Sequence, residues 1–76
     1  MRIKLSELKM GESGRVVSLT GISVDIRKKL MAMGLLPNTT VTLVRSAPLG
    51  DPLQLKVREV NIAMRKKMAE SIEVEK

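Results

Sequence analysis

Residues 40–57, TVTLVRSAPLGDPLQLKV, alternate apolar and polar side chains on both sides of a segment holding two prolines and a glycine. Alternation at period two sets Val41 and Leu43 on one strand face against Thr40 and Thr42 on the other. It does the same for Leu53, Leu55 and Val57 against Gln54, Lys56 and Arg58. Two such runs joined by a Pro/Gly segment make an antiparallel hairpin with an apolar inner face. A chain of 76 residues buries only roughly 60% of the surface its unfolded form exposes, so the rest of the protein must close over that one face.

What closes over it is aliphatic. The chain has no Phe, Tyr or Trp, and its core is left to Leu, Ile, Val and six Met. The methionines at 31, 33, 64 and 68 are expected to fill gaps between branched residues. The segment GISVDIRKKLMAMGLLPNT carries the signals of one helix. Ser23 suits the N-cap, Asp25 lies in the first turn, and Ile26, Leu30 and Met33 follow a buried stripe. Gly34 ends the helix as a left-handed cap, and Pro37-Asn38 forms a turn in which asparagine takes the positive φ. Arg15–Thr20 reads as the first strand between Gly14 and Gly21. KLSEL (residues 4–8) and KKMAE (66–70) read as single helical turns. NIAMR (61–65) and Ser71–Val74 read as strands. Five short strands and one inserted helix predict an all-β fold over residues 1–76 as one domain. The expected form is a small SH3-like β-barrel, with an OB-fold as the nearest competitor.

Several function classes fall away. Without His or Cys the chain lacks the usual ligands for zinc, copper and iron, and any thiol nucleophile. It has no G-x-S-x-G, no phosphate-binding glycine loop and no close carboxylate pair in an apolar setting. No enzymatic activity, cofactor, small-molecule substrate or metal site is therefore expected. Glu70, Glu73 and Glu75 read as a solvated tail. No run approaches the roughly 20 apolar residues of a membrane span, nor is there an apolar stretch of signal-peptide length, which predicts a cytoplasmic protein. Fourteen Lys and Arg against eight Asp and Glu give a net charge of +6 and point to an anionic partner. Single-stranded nucleic-acid binders add aromatic stacking platforms, absent here, so nucleic acid ranks below an acidic protein surface.

In the APLGDP loop, Pro48 and Pro52 fix φ and bias Ala47 and Asp51 toward extended backbone, while Gly50 permits a sharp reversal. Leu49 is thereby held near the apex of a stiff loop, with little ordering entropy left to lose on binding. Two readings stand side by side. Either Leu49 folds back onto its own barrel and the prolines guard a sheet edge, or it enters a partner's pocket. The runs Arg27-Lys28-Lys29 and Arg65-Lys66-Lys67 are solvated faces in one reading and contacts to an acidic face in the other.

The stretch IRKKLMAMGLLPNTTVTLVRSAPLGDPLQLKVREVNIAMRKKMAESIEV resembles the FeoA family of bacterial ferrous iron uptake. The pattern is a basic helix ending in Met33-Gly34-Leu35, then Pro37 and a turn residue, the Ala47–Pro52 loop between two strands, and AMRKKMA near the end. It covers about residues 14 to 75. Asn38 stands where the family usually has glycine, a substitution the turn tolerates. The resemblance implies an SH3-like barrel that binds the cytosolic, GTP-binding part of the FeoB membrane transporter and itself neither spans the membrane nor hydrolyses anything. Contact with the membrane would then be indirect. The expected partner surface is the loop Ala47, Pro48, Leu49, Gly50, Asp51 and Pro52 with the adjoining helix residues Arg27, Lys28, Gly34 and Leu35. Two alternatives remain open: a small basic nucleic-acid-binding barrel, and a detached regulatory domain acting with a metal-dependent repressor.

Overall fold

The computed structural model describes residues 1–19 and 21–76. Thr20, the expected end of the first strand, lies outside the described residues. The strands are β1 (Arg2–Lys4), β2 (Ser13–Ser18), β3 (Thr40–Ser46), β4 (Leu53–Val57), β5 (Val60–Met64) and β6 (Glu73–Glu75). A 3-10 turn, Leu5–Glu7, follows β1; helix α1 is Val24–Ala32 and the short α2 is Lys66–Ala69. The strands form one antiparallel sheet in the order β1-β6-β2-β3-β4-β5.

The hairpin follows the alternation. Val41 pairs with Val57, and Leu43 with Leu55, and all four are buried. The register shifts between Leu43 and Arg45, a bulge that bends β3 and helps a small sheet wrap its core. Three boundaries differ from expectation. Among the described residues there are six strands and not five, because Arg2–Lys4 pairs residue by residue with Glu73–Glu75; three residues around a single apolar Ile3 carry too little alternation to be legible. β2 begins at Ser13, which puts Gly14 inside the strand. β6 begins at Glu73, because Ser71 still closes α2, donating its N–H to the Met68 carbonyl at 3.0 Å.

Helix α1 is capped at both ends by local chemistry. Ser23 Oγ accepts the Ile26 N–H at 3.4 Å. At the other end Gly34 has φ +99°, the left-handed conformation that favours glycine. Its N–H donates to the Met31 carbonyl and the Leu35 N–H to the Leu30 carbonyl, both at 3.0 Å, which is the Schellman arrangement. That cap explains a correction to the expected stripe. The helical period stops at the cap, so Met33 stays 41% exposed while Leu35, two residues on, is carried into the core at 0% exposure. Met31 is likewise exposed, and only Met64 and Met68 of the four methionines fill core space.

Beyond the helix, Asn38 has φ +70° in a turn closed by Thr39 N–H to Leu36 carbonyl at 3.1 Å. Its side-chain oxygen accepts from Arg15 Nη1 at 2.6 Å, so the turn is sewn to β2.

The chain ends are latched by charge. Lys76 Nζ lies 2.7 Å from Glu12 Oε2, and Glu12 Oε1 accepts the Lys9 N–H at 2.7 Å. The Lys76 hydrogen bond first, and the Lys9 N–H second, hold the Glu12 carboxyl below the usual glutamate range. A carboxyl depressed in the folded state contributes stability above its unfolded pKa, and that contribution is lost as the pH falls through the folded value. An NMR pH titration is expected to show Glu12 titrating below an ordinary glutamate, with Lys76→Met moving it upward. An unchanged Glu12 midpoint in that variant would overturn the latch.

Candidate partner-docking site

Two local bonds shape the β3–β4 loop. Ala47 N–H donates to the Pro52 carbonyl at 3.0 Å, closing the loop's base, and Gly50 N–H donates to the Ala47 carbonyl at 2.7 Å. The second bond defines a β-turn with Pro48 at its second position, where a fixed φ is favourable. The Asp51–Pro52 peptide is cis and Gly50 has φ +84°. Leu49 sits at the tip and is 96% exposed. Of the two readings of this leucine, the one in which it folds back onto its own barrel is removed.

Asp51 is used inside the molecule. Its Oδ1 accepts the Lys66 N–H at 2.9 Å, satisfying a donor at the start of α2, and its Oδ2 lies 3.9 Å from Arg65 Nη1. The ion pair is exposed and worth at most about 1 kcal/mol. The bond to the backbone contributes more, because it also holds the loop to α2. The base is anchored and the tip is free.

That anchor sets the loop beside a cleft of about 550 Å³ between the start of α1 and α2. Ile22, Ile26 and Met68 line its apolar part; Asp51, Arg65 and Lys67 lie at its polar part. Through Ile26, Arg65 and Met68 it continues into a second cleft of about 320 Å³ reaching Lys29, Met33 and Ile62. Among the described residues only Arg65 of the nearby cations has an ion-pair partner. The combined feature is an apolar groove with unneutralised positive charge along it, suited to an acidic, partly apolar protein segment.

The expected site residues are brought together only in part. Ala47, Pro48, Leu49 and Gly50 form the tip, and Pro52 is exposed at its base. Arg27 and Lys28 lie on α1 but do not line the groove; Lys29 does, because each helical residue is rotated about 100° from the last and only one of three successive cations can face a given side. Gly34 packs over the sheet, where an added Cβ would lie 3.9 Å from Val57 Cγ1. Leu35 is corrected outright: its side chain is wholly buried and can meet no partner. The groove residues that sequence reasoning left out come from two separated segments, around 22–26 and 65–68, which meet at the expected loop residue Asp51. The one signal for them was the Arg65–Lys67 run.

Among the described residues no cluster of three or more His, Cys, Asp or Glu could hold a metal ion, and no helix is long and apolar enough to cross a membrane.

Comparison with known proteins places this geometry among relatives. Residues 3–76 match the FeoA domain family. A Porphyromonas gingivalis protein that fuses Fe(2+) transport protein A to the Fe(2+) transporter FeoB is 37% identical over 73 residues, 96% of this chain and 8% of that protein. This chain thus spans less than a tenth of that relative's length. The solution structure of the FeoA protein from Chlorobium tepidum superposes with a TM-score of 0.91 at 37% identity, over 96% of this chain and 69% of that one. The zinc complex of Stenotrophomonas maltophilia FeoA, a procaryotic SH3 domain protein, gives 0.81 at 28% identity, over 96% and 89%. The SH3-like expectation holds.

Proposed function

The chain belongs to the FeoA family, small SH3-like accessory domains of ferrous iron transport and not enzymes, and from that premise we propose that it docks on the cytosolic, GTP-binding part of a FeoB-type transporter and modulates it. The observation that carries the proposal is Leu49, fully presented on a loop whose base is fixed by Asp51 beside a cation-bearing apolar groove. A preformed tip loses little entropy when it enters a pocket. The Porphyromonas gingivalis relative, in which transport protein A and FeoB share one chain, supports the choice of partner, since covalent linkage keeps two associating modules at high effective concentration. An apolar lining without aromatic platforms favours a protein surface over nucleic acid.

Burying a leucine contributes about 2 kcal/mol, and that difference is roughly 30-fold in affinity. In an NMR titration of labelled protein with the soluble cytosolic part of the transporter, Leu49→Asp is expected to weaken binding by about that factor. Its spectrum alone should match the parent's, because no core contact is lost. Affinity that stays the same in this variant would remove the loop from the interface. Binding should also weaken with added salt, as cations meeting an acidic face require.

A further inference from the structure

The two edges of the sheet are built differently. β1 is three residues long, carries Arg2 and Lys4, and is tied to Glu75 by ion pairs from the N-terminus and Arg2. Short, charged edges discourage strand addition. β5, at the other edge, pairs only with β4, over five consecutive residues and without a register shift. Its sequence, VNIAM, has no charge and no proline.

The register says which backbone groups are free. Val57 and Val60 flank a two-residue turn, so they are a hydrogen-bonded pair, and the bonded pairs recur at Ile62 and Met64. Asn61 and Ala63 therefore aim their N–H and C=O groups away from β4. Neither has any other backbone partner among the described residues. Two donors and two acceptors stand in a row at strand spacing. A cleft lies on each face of this edge: the one toward α1, with Ile26, Lys29, Met33 and Arg65, and one of about 240 Å³ on the other side, with Val44 and Gln54. Ile62 and Ala63 line both. An added strand sends alternate side chains to opposite faces, which is what two clefts sharing one edge would receive.

We propose that β5 is a β-augmentation site that takes an extended segment of a partner protein, apolar at its centre and acidic at its flanks. Charge selects this occupant over a second copy of the chain. Antiparallel pairing of two β5 strands about Ile62 would set Arg58 and Glu59 of one copy against Arg65, Lys66 and Lys67 of the other, four cations to one acid at each junction, between molecules of net charge +6. Glutamates on a partner strand would instead meet Lys29 and Arg65. The inference does not rest on the transporter reading and is tested without the transporter.

The probe is an acetylated, amidated peptide of alternating valine and threonine with a glutamate at each end; the control has lysine at each end. At saturation with the acidic peptide, hydrogen exchange of the Asn61 and Ala63 amides is expected to slow at least tenfold, with the lysine peptide at least tenfold weaker. Ala63→Pro removes an outward N–H without removing a β4–β5 bond, and is expected to weaken binding at least tenfold. Should that variant fold poorly, the exchange rates of the parent protein decide alone. Unchanged exchange at Asn61 and Ala63, equal binding of both peptides, or protection that grows with protein concentration in the absence of peptide would each overturn the proposal.

Discussion

Leu35→Ala is expected to remove about 3 kcal/mol of folding stability, since truncating a fully buried leucine costs about 2–5 kcal/mol once the cavity it leaves is counted. Two features push the effect above the low end. Leu35 is at 0% exposure, so no water fills the space at the outset. Its N–H also closes the helix cap on the Leu30 carbonyl, and both leucines belong to the buried core, so the end of α1 loosens with it. The total available is small: at roughly 0.05–0.15 kcal/mol per residue, a domain this size holds about 4–11 kcal/mol. Removing three buried carbons can therefore take away roughly a quarter to three quarters of it. Thermal unfolding should show a Tm lower by more than about 10 °C. A fall of only a degree or two would mean that the site collapses around the alanine, or that the cap and not the side chain holds the helix end.

Gly14→Val should also destabilise, by about 2 kcal/mol, for the opposite reason. A Cβ built on Gly14 would lie 2.8 Å from Val74 Cγ2 and 3.0 Å from Val74 Cβ. Val74 is wholly buried on β6, a strand paired on both sides by β1 and β2, so neither its stiff side chain nor its backbone has room to retreat. Overpacking of this kind costs about 1–3 kcal/mol, occasionally more. Replacing a strand glycine otherwise gains about 0.5–1 kcal/mol of backbone entropy, which offsets only part of the clash. Gly14→Ala should fall between parent and valine variant in urea unfolding. A rise in stability with either would show that β2 and β6 can move apart.

These two residues show how far local pattern reaches. Residues 40–57 identify the hairpin and its inner face, because period-two alternation needs no information from elsewhere in the chain. Ser23, Gly34 and Asn38 announce the helix cap, stop and turn for the same reason: each acts on backbone groups within four residues of itself. The loop's stiffness, with Leu49 near its apex, is legible in Pro48, Gly50 and Pro52, but that the side chain turns outward and not back onto the barrel was decided by the structure. Leu35 is a different case. As the residue after Met33-Gly34 it belongs to the same motif as the exposed helix end, and the motif does not say that the cap turns this side chain inward. Arg27 and Lys28 were similarly indistinguishable from Lys29 until the helix had a direction.

The alternating residues, caps and imino acids, then, were enough by themselves to specify an aliphatic antiparallel sheet with one inserted helix, lacking catalytic groups and carrying a leucine near the apex of a stiff loop. Tertiary structure alone decided the sixth strand, the close approach at Gly14, the groove that gathers Ile22, Ile26, Arg65 and Met68, and the uncharged free edge of β5. The physical reason is range. Hydrogen-bond capping and strand alternation are set by neighbours a few residues apart, whereas clefts, edges and packing gaps are differences between surfaces brought together from opposite ends of the chain, and a difference of surfaces has no counterpart in any one of them.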